Sequence, residues 1–154
     1  MSDIFKNKKG TVEKSIIIDA SAELVFKSIT DWRSQSKWMP LTHVDISDQK
    51  DNILGSEITA ITGISPLGIK DTMVITTWNP PYECSVVHTG KVIRGSGTFK
   101  VQPIKASSSK FTWSEQVIVP FGILGWIFWP IIKLFSGLAT KVALKRFKNY
   151  VTSI

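Results

Sequence analysis

The stretch that most constrains this chain is its last quarter, from Val117 to Ile154. It opens on an uncharged run, Val-Ile-Val-Pro-Phe-Gly-Ile-Leu-Gly-Trp-Ile-Phe-Trp-Pro-Ile-Ile, and continues to Lys-Arg-Phe-Lys-Asn-Tyr. From Ile131 onward the apolar residues recur at helical spacing: Ile131, Phe135, Leu138, Ala139, Val142, Ala143, Phe147 and Tyr150 make one face. Lys133, Lys141, Lys145 and Lys148 fall off that stripe. The spacing predicts a helix from about Ile131 to about Val151, roughly 30 Å long at 1.5 Å per residue. Val117–Pro130 then reads as a strand end plus a loop, bracketed by Pro120 and Pro130. A helix with so long an apolar face needs a partner of similar length, and the upstream strands supply it.

The same run raises a transmembrane alternative. Its uncharged part falls short of the roughly 20 residues that cross a bilayer, and extending it to Thr140 encloses Lys133. Pro120, Pro130, Gly122 and Gly125 further interrupt a spanning helix. The favoured reading is a hydrophobic loop that closes over a ligand or touches a membrane. Its aromatics, Trp126, Phe128 and Trp129, are read as core or lid packing ahead of a membrane anchor.

At 154 residues the chain is expected to form one domain, 11–154, behind a flexible leader, 1–10. A hydrophobic fraction of 43% with six Trp excludes a disordered polymer and points to an aromatic-rich interior. The single cysteine, Cys84, has no partner for an internal disulfide, which suits a reducing compartment. The first residues lack the apolar segment of a signal peptide, so the expected location is the cytoplasm. Net charge is +7, with Lys6, Lys8 and Lys9 near the start and a basic helix face near the end. That distribution reads as a solvated surface, with peripheral contact to an anionic membrane through the basic and aromatic C-terminal region as the alternative. No nucleic-acid partner is expected, because no motif interleaves the basic residues with exposed aromatics.

Between the ends the signals alternate in an orderly way. Thr11–Ile18 is β-branched and reads as a strand; Ser21 is a good N-cap for a helix over 22–29. Asp31–Trp38 reads as a second, shorter helix stopped by Pro40. Strands follow at Thr42–Ser47, Gly55–Thr62, Ile69–Trp78, Glu83–Thr89, Val92–Pro103 and Lys110–Val119, separated by turn residues. Helices at both ends of a strand meander predict an α+β fold, in which an antiparallel sheet curls around the last helix and leaves an interior cavity.

Several ordered stretches carry a family resemblance: Ile-Asp-Ala-Ser-Ala-Glu-Leu-Val-Phe at 18–26, Asp31-Trp32-Arg33 with Trp38-Met39-Pro40, Trp78-Asn79-Pro80-Pro81, Val87-His88-Thr89-Gly90, Arg94-Gly95-Ser96-Gly97-Thr98-Phe99, and Thr112-Trp113-Ser114-Glu115. From Val12 to Val151 the chain resembles the START-like (SRPBCC) superfamily, within it the polyketide cyclase/dehydrase and lipid-transport group of small bacterial proteins. The resemblance implies a helix-grip fold, a curved antiparallel sheet wrapped around a long C-terminal helix, with two short helices after the first strand. It leaves the reaction open, since the superfamily spans aromatases, cyclases, lipid carriers and receptors.

Two polar residues stand out on predicted inward faces. Period two puts Glu115 in a row with Phe111, Trp113, Val117 and Val119, and His88 in a row with Cys84 and Val86. A carboxyl in an apolar row is either paired for structure or raised in pKa for acid–base work; an inward His is either a hydrogen-bonded core member or a proton carrier. His43 is a weaker candidate, and Arg94 is either a ligand-anion anchor or a surface residue. Neither metal-ligand spacing nor a phosphate-cradling glycine loop is found, so no metal and no cofactor is expected. The leading expectation is a protein that holds a hydrophobic small molecule, a lipid or polyketide-like aromatic, against Trp38, Trp78, Phe99, Phe111, Trp113, Phe135 and Leu138. The alternative is a cyclase, aromatase or dehydratase in which Glu115 and His88 shuttle protons.

Overall fold

The computed structural model describes residues 8–46 and 54–154. Strand β1 (Lys9–Ile18) leads through helix α1 (Ala22–Thr30), a single 3-10 turn at Trp32–Ser34 and the one-turn helix α2 (Gln35–Trp38). Then come β2 (Thr42–Ile46), β3 (Glu57–Thr62), β4 (Ile69–Asn79), β5 (Glu83–His88), β6 (Gly95–Lys105), β7 (Ser108–Ile118) and the 31-residue helix α3 (Gly122–Thr152). All neighbouring strands are antiparallel, in the order β1-β7-β6-β5-β4-β3-β2. This curled sheet with a long C-terminal helix is the helix-grip fold. β1 begins at Lys9, inside the stretch read as leader, while residues 1–7 and Ser47 lie outside the described residues.

Local chemistry accounts for the first half. The Ser21 hydroxyl accepts a hydrogen bond from the Leu24 N–H at 3.3 Å, the expected cap of α1. Val25, Phe26 and Ile29 of α1 are buried, so the helix seals one end of the curled sheet. Trp38 is packed between Phe147 of α3, with ring centroids 4.9 Å apart, and Trp113 of β7, edge to face at 6.5 Å. Phe111 and Phe147 meet at 5.3 Å. Ala143, Leu144, Phe147 and Val151 thus fix the C-terminal half of α3 in the main core.

The N-terminal half of α3 departs from expectation. Helix begins at Gly122, not near Ile131, so most of the stretch read as loop is helical and Pro130 lies inside it. The break falls at Pro120, after which Phe121 and Gly122 take left-handed backbone angles (φ 64° and 55°) and redirect the chain from β7 into α3. Pro130 lacks only the N–H that would have bonded the Trp126 carbonyl, and it sits exposed on the outer side where water can satisfy that oxygen. Trp129 packs with Val12 and Val119 in a small second cluster. It lies flat on Gly10 of β1, where even one Cβ would stand 2.0 Å from the indole ring.

Helical phase is the second correction. Phe135 is 66% exposed and Leu138 52% exposed, both on the outside of α3, although the sequence stripe assigns them to the cavity wall. The inward positions are instead Ser136, Ala139, Thr140 and Ala143.

Candidate functional site

Five adjacent strands each contribute inward residues to one cavity, β3 with Ala60 and Thr62. β4 supplies Asp71 and Met73, β5 Cys84, Val86 and His88, β6 Gly97 and Phe99, and β7 Trp113 and Glu115. Register brings these rows together: Met73 opposes His88, Gly97 opposes Glu115, and Phe99 opposes Trp113. α3 closes one side with Ser136, Ala139, Thr140 and Ala143, and Trp32, Gln35 and Met39 close another. The cavity volume is about 430 Å³, within the range of small-molecule sites, and the cavity is partly open to solvent.

Most of the exposed lining is apolar; hydroxyls of Thr42, Thr62, Ser136 and Thr140 and the Gln35 amide are scattered along it, and the titratable groups form one cluster. His88 Nδ1 lies 2.9 Å from Asp71 Oδ2, and His88 Nε2 lies 3.0 Å from Glu115 Oε2. The other carboxylate oxygen, Glu115 Oε1, accepts a hydrogen bond from the Trp113 indole N–H at 2.7 Å. The chain Asp71–His88–Glu115–Trp113 therefore crosses from β4 to β7 over the two strands between. Burial of the ring opposes its charge, but the hydrogen bonds and charges of Asp71 and Glu115 outweigh it and push the His88 pKa up to about 9. At neutral pH the ring is an imidazolium that donates from both nitrogens, so one cation stands between two carboxylates. The His88 side chain is only 5% exposed and that of Glu115 25%, which makes Glu115 the member open to the cavity.

Gly97 is what lets Glu115 stand there. A Cβ at Gly97 would lie 2.7 Å from Glu115 Oε1 and 3.0 Å from Oε2, closer than atoms in contact tolerate. Cys84 behaves as wall: burial, then the nearby Glu83 charge, pushes its thiol up to about 12, so it stays protonated and unreactive.

Of the residues singled out from the sequence, His88, Glu115, Phe99 and Trp113 line this cavity. The others do not. Trp38 and Phe111 are fully buried in the core beneath it. Trp78 packs against Phe26, ring centroids 5.3 Å apart and tilted by 60°, at the far end of the sheet beyond a bulge in β4 between Ile75 and Thr77. Arg94 is exposed outside the cavity, with its backbone carbonyl accepting the Ile118 N–H. His43 lies in a separate, open depression beside Leu41 and Pro66. Phe135 and Leu138 are outside, as described. Asp71 and Gly97 were missed. Asp71 gave the same signal as Glu115, a carboxylate two and four residues from Met73 and Ile75 on one strand face; Gly97 becomes visible only once the register with β7 is known.

The architecture is shared with solved structures of low sequence identity, so the likeness concerns fold. A Thermus thermophilus protein superposes with TM-score 0.78 at 11% identity, covering 94% of this chain and 98% of that one. The Zhui aromatase/cyclase from Streptomyces gives 0.76 at 13%, covering 94% of each chain. A START superfamily protein from Mycobacterium smegmatis gives 0.74 at 15%, covering 93% and 97%. No curated protein is matched by sequence. The family model described as polyketide cyclase/dehydrase and lipid transport matches residues 9–152, from the first residue of β1 to the last of α3. With sheet, gripping helix and cavity all inside that span, the chain belongs to the polyketide cyclase/dehydrase and lipid transport family.

Proposed function

We propose that the cavity binds a hydrophobic small molecule, a lipid or polyketide-like aromatic, that carries a hydrogen-bond donor such as a hydroxyl. The observation that carries this reading is the contrast within the lining: a largely apolar chamber of about 430 Å³ with its titratable groups gathered at Asp71, His88 and Glu115. Both His88 nitrogens are engaged and the cluster holds a surplus of negative charge. The carboxylate of Glu115, with lone pairs beyond its two internal hydrogen bonds, is the natural acceptor for a ligand O–H. Phe99 and Trp113 offer flat apolar surface beside it.

A second reading, a cyclase or dehydratase, is favoured by the same cluster, since three titratable groups stand within hydrogen-bond reach of one another. There Glu115 takes a proton from a carbon or oxygen of the ligand and returns it at another ligand atom, the imidazolium of His88 orients the carboxylate, and the chamber holds the ligand folded. The similarity to an aromatase/cyclase is one of fold and does not choose between the two.

Native mass spectrometry of the purified protein tests for a carried ligand, followed by tryptophan-fluorescence titration with a long-chain fatty acid and a polycyclic aromatic. Trp113→Ala is expected to weaken binding by about 1–3 kcal/mol. Glu115→Gln retains an acceptor and the shape: a carrier keeps its affinity for a neutral ligand, whereas an enzyme keeps binding and loses turnover. A protein that carries nothing and responds to neither probe overturns both readings.

A further inference from the structure

The outer face of α3 is the largest surface feature that the cavity leaves unexplained. Leu124, Phe128, Ile131, Leu134, Phe135 and Leu138 are all more than half exposed. At 3.6 residues per turn they share an arc of about 120° and run for about 20 Å along the helix. Phe121, at the turn before them, is 84% exposed. Lys133, the one charged residue between Gly122 and Thr140, lies off that arc. The opposite side of the helix is occupied, with Trp129 on Gly10 and Gly137 against Lys14, both on β1. A contiguous apolar strip of this size on a protein surface marks an interaction site. Of the aromatics read as core or lid packing, Trp126 and Trp129 pack on Val12 and Val119, whereas Phe128 is exposed on this outer face.

Charge identifies the partner. From Val117 to Ile154 there is no acidic residue, whereas Lys133, Lys141, Lys145, Arg146 and Lys148 are all present. Lys141, Lys145 and Arg146 are exposed on the turns that continue the apolar arc. On β1, the face that meets α3 carries Lys14, exposed and beside Gly137, and just before that strand the Lys8 ammonium sits 5.5 Å from the centre of the Trp126 ring. An apolar strip bordered by cations complements the acyl chains and headgroups of an anionic bilayer. Pairing two copies through this face would bring together two helices whose charged residues are all positive, in a chain of net charge +7. Crossing the bilayer would strip α3 from β1 and place Lys133 in hydrocarbon, although the helix is long and apolar enough to span.

We propose that the outer face of α3, from Phe121 to Leu138, docks in the plane of an anionic lipid bilayer. The docking does not depend on the ligand reading, since it concerns the opposite face of the helix and is measured on protein without added ligand.

The test is co-sedimentation of the full chain with vesicles of phosphatidylcholine alone and of phosphatidylcholine mixed with phosphatidylglycerol. Binding to the mixed vesicles is expected, about tenfold weaker on phosphatidylcholine alone, and weakened by salt. Phe128→Ser and Leu134→Ser, at exposed positions that leave the melting temperature unchanged, should each weaken partitioning about tenfold or more. Arg146→Gln should weaken it about fivefold. Absence of binding to mixed vesicles, equal binding by the serine variants, or equal binding to the two vesicle types overturns the proposal. So does a dimer in sedimentation velocity that Phe128→Ser dissociates, which would assign the face to a second copy, and so does vesicle association that resists alkaline carbonate, which would assign it to a span.

Discussion

Substituting Gly97 by Ala tests the polar cluster, because the change replaces none of its members yet pushes on one of them, Glu115. The new methyl would stand 2.7 Å from Glu115 Oε1 and 3.1 Å from its Cδ, so the carboxylate must move away by several tenths of an ångström. The strand need not move, since the clash is with the end of a flexible side chain. The two bonds at stake are the 3.0 Å contact to His88 Nε2 and the 2.7 Å contact from Trp113. Both end on the Glu115 carboxylate, and a hydrogen bond to a charged group contributes about 1.5–3 kcal/mol. Against that loss, replacing Gly in a strand recovers roughly 0.5–1 kcal/mol of chain entropy. With one of the two bonds lost, the expected balance is a loss of about 0.5–2.5 kcal/mol at neutral pH. More telling is the titration of His88, which should fall from about 9 toward its ordinary 6.5 as one of its two carboxylates withdraws. NMR titration of the imidazole carbon-bound protons reads this directly, and His43→Gln assigns the two signals. A Gly97→Ala protein whose His88 still titrates where the parent does would show that Glu115 does not hold the ring, and the cluster would be wrong.

The raised His88 pKa also carries a linkage prediction. A group whose folded pKa lies above its unfolded value stabilises fully below the unfolded value and loses that contribution as pH rises through the folded one. Stability should therefore fall by up to about 3 kcal/mol between about pH 6.5 and pH 9. Urea unfolding of the parent and of His88→Gln checks it, because the variant should lack that slope; parallel pH profiles would refute it. On α3, Leu138→Asp should shift stability by no more than about 0.5 kcal/mol, whereas Leu144→Asp, which buries a charge in the core, should cost several kcal/mol. Thermal melts of the two variants separate the faces, and equal destabilisation would show that the helix is rotated from the phase described.

Much of the site was legible because strands declare their faces. Period two alone put Trp113 and Glu115 on one row and Cys84, Val86 and His88 on another, and both rows face the chamber. Which residues meet across strands is a matter of register, and sequence fixes register only weakly. The partnership of His88 with both Asp71 and Glu115 depends on Met73 opposing His88 and on Gly97 opposing Glu115. Depth was equally hidden. Trp38 and Phe111 do point inward, but the C-terminal half of α3 fills the space beneath them with Phe147, so they became core and not wall.

The phase of α3 was unreadable for a different reason. A helix reveals its buried side only where polar residues mark the other side, and between Gly122 and Thr140 nearly every position is apolar. Bulk alone predicts that the large side chains face the sheet, yet the inward positions are the small ones, Ser136, Gly137, Ala139, Thr140 and Ala143, since the Lys14 side chain of β1 lies against Gly137 and the chamber needs room beside the rest. Bulk was therefore placed outside, where on a soluble helix it would have been replaced by charge. From Ala143 onward the ordinary distribution returns: Leu144, Phe147 and Val151 are buried while Lys145, Arg146 and Asn149 are exposed. That switch within one continuous helix is the physical ground for separating its two roles. The C-terminal half is held by the core, and the N-terminal half presents to its surroundings an apolar face that the fold itself leaves uncovered.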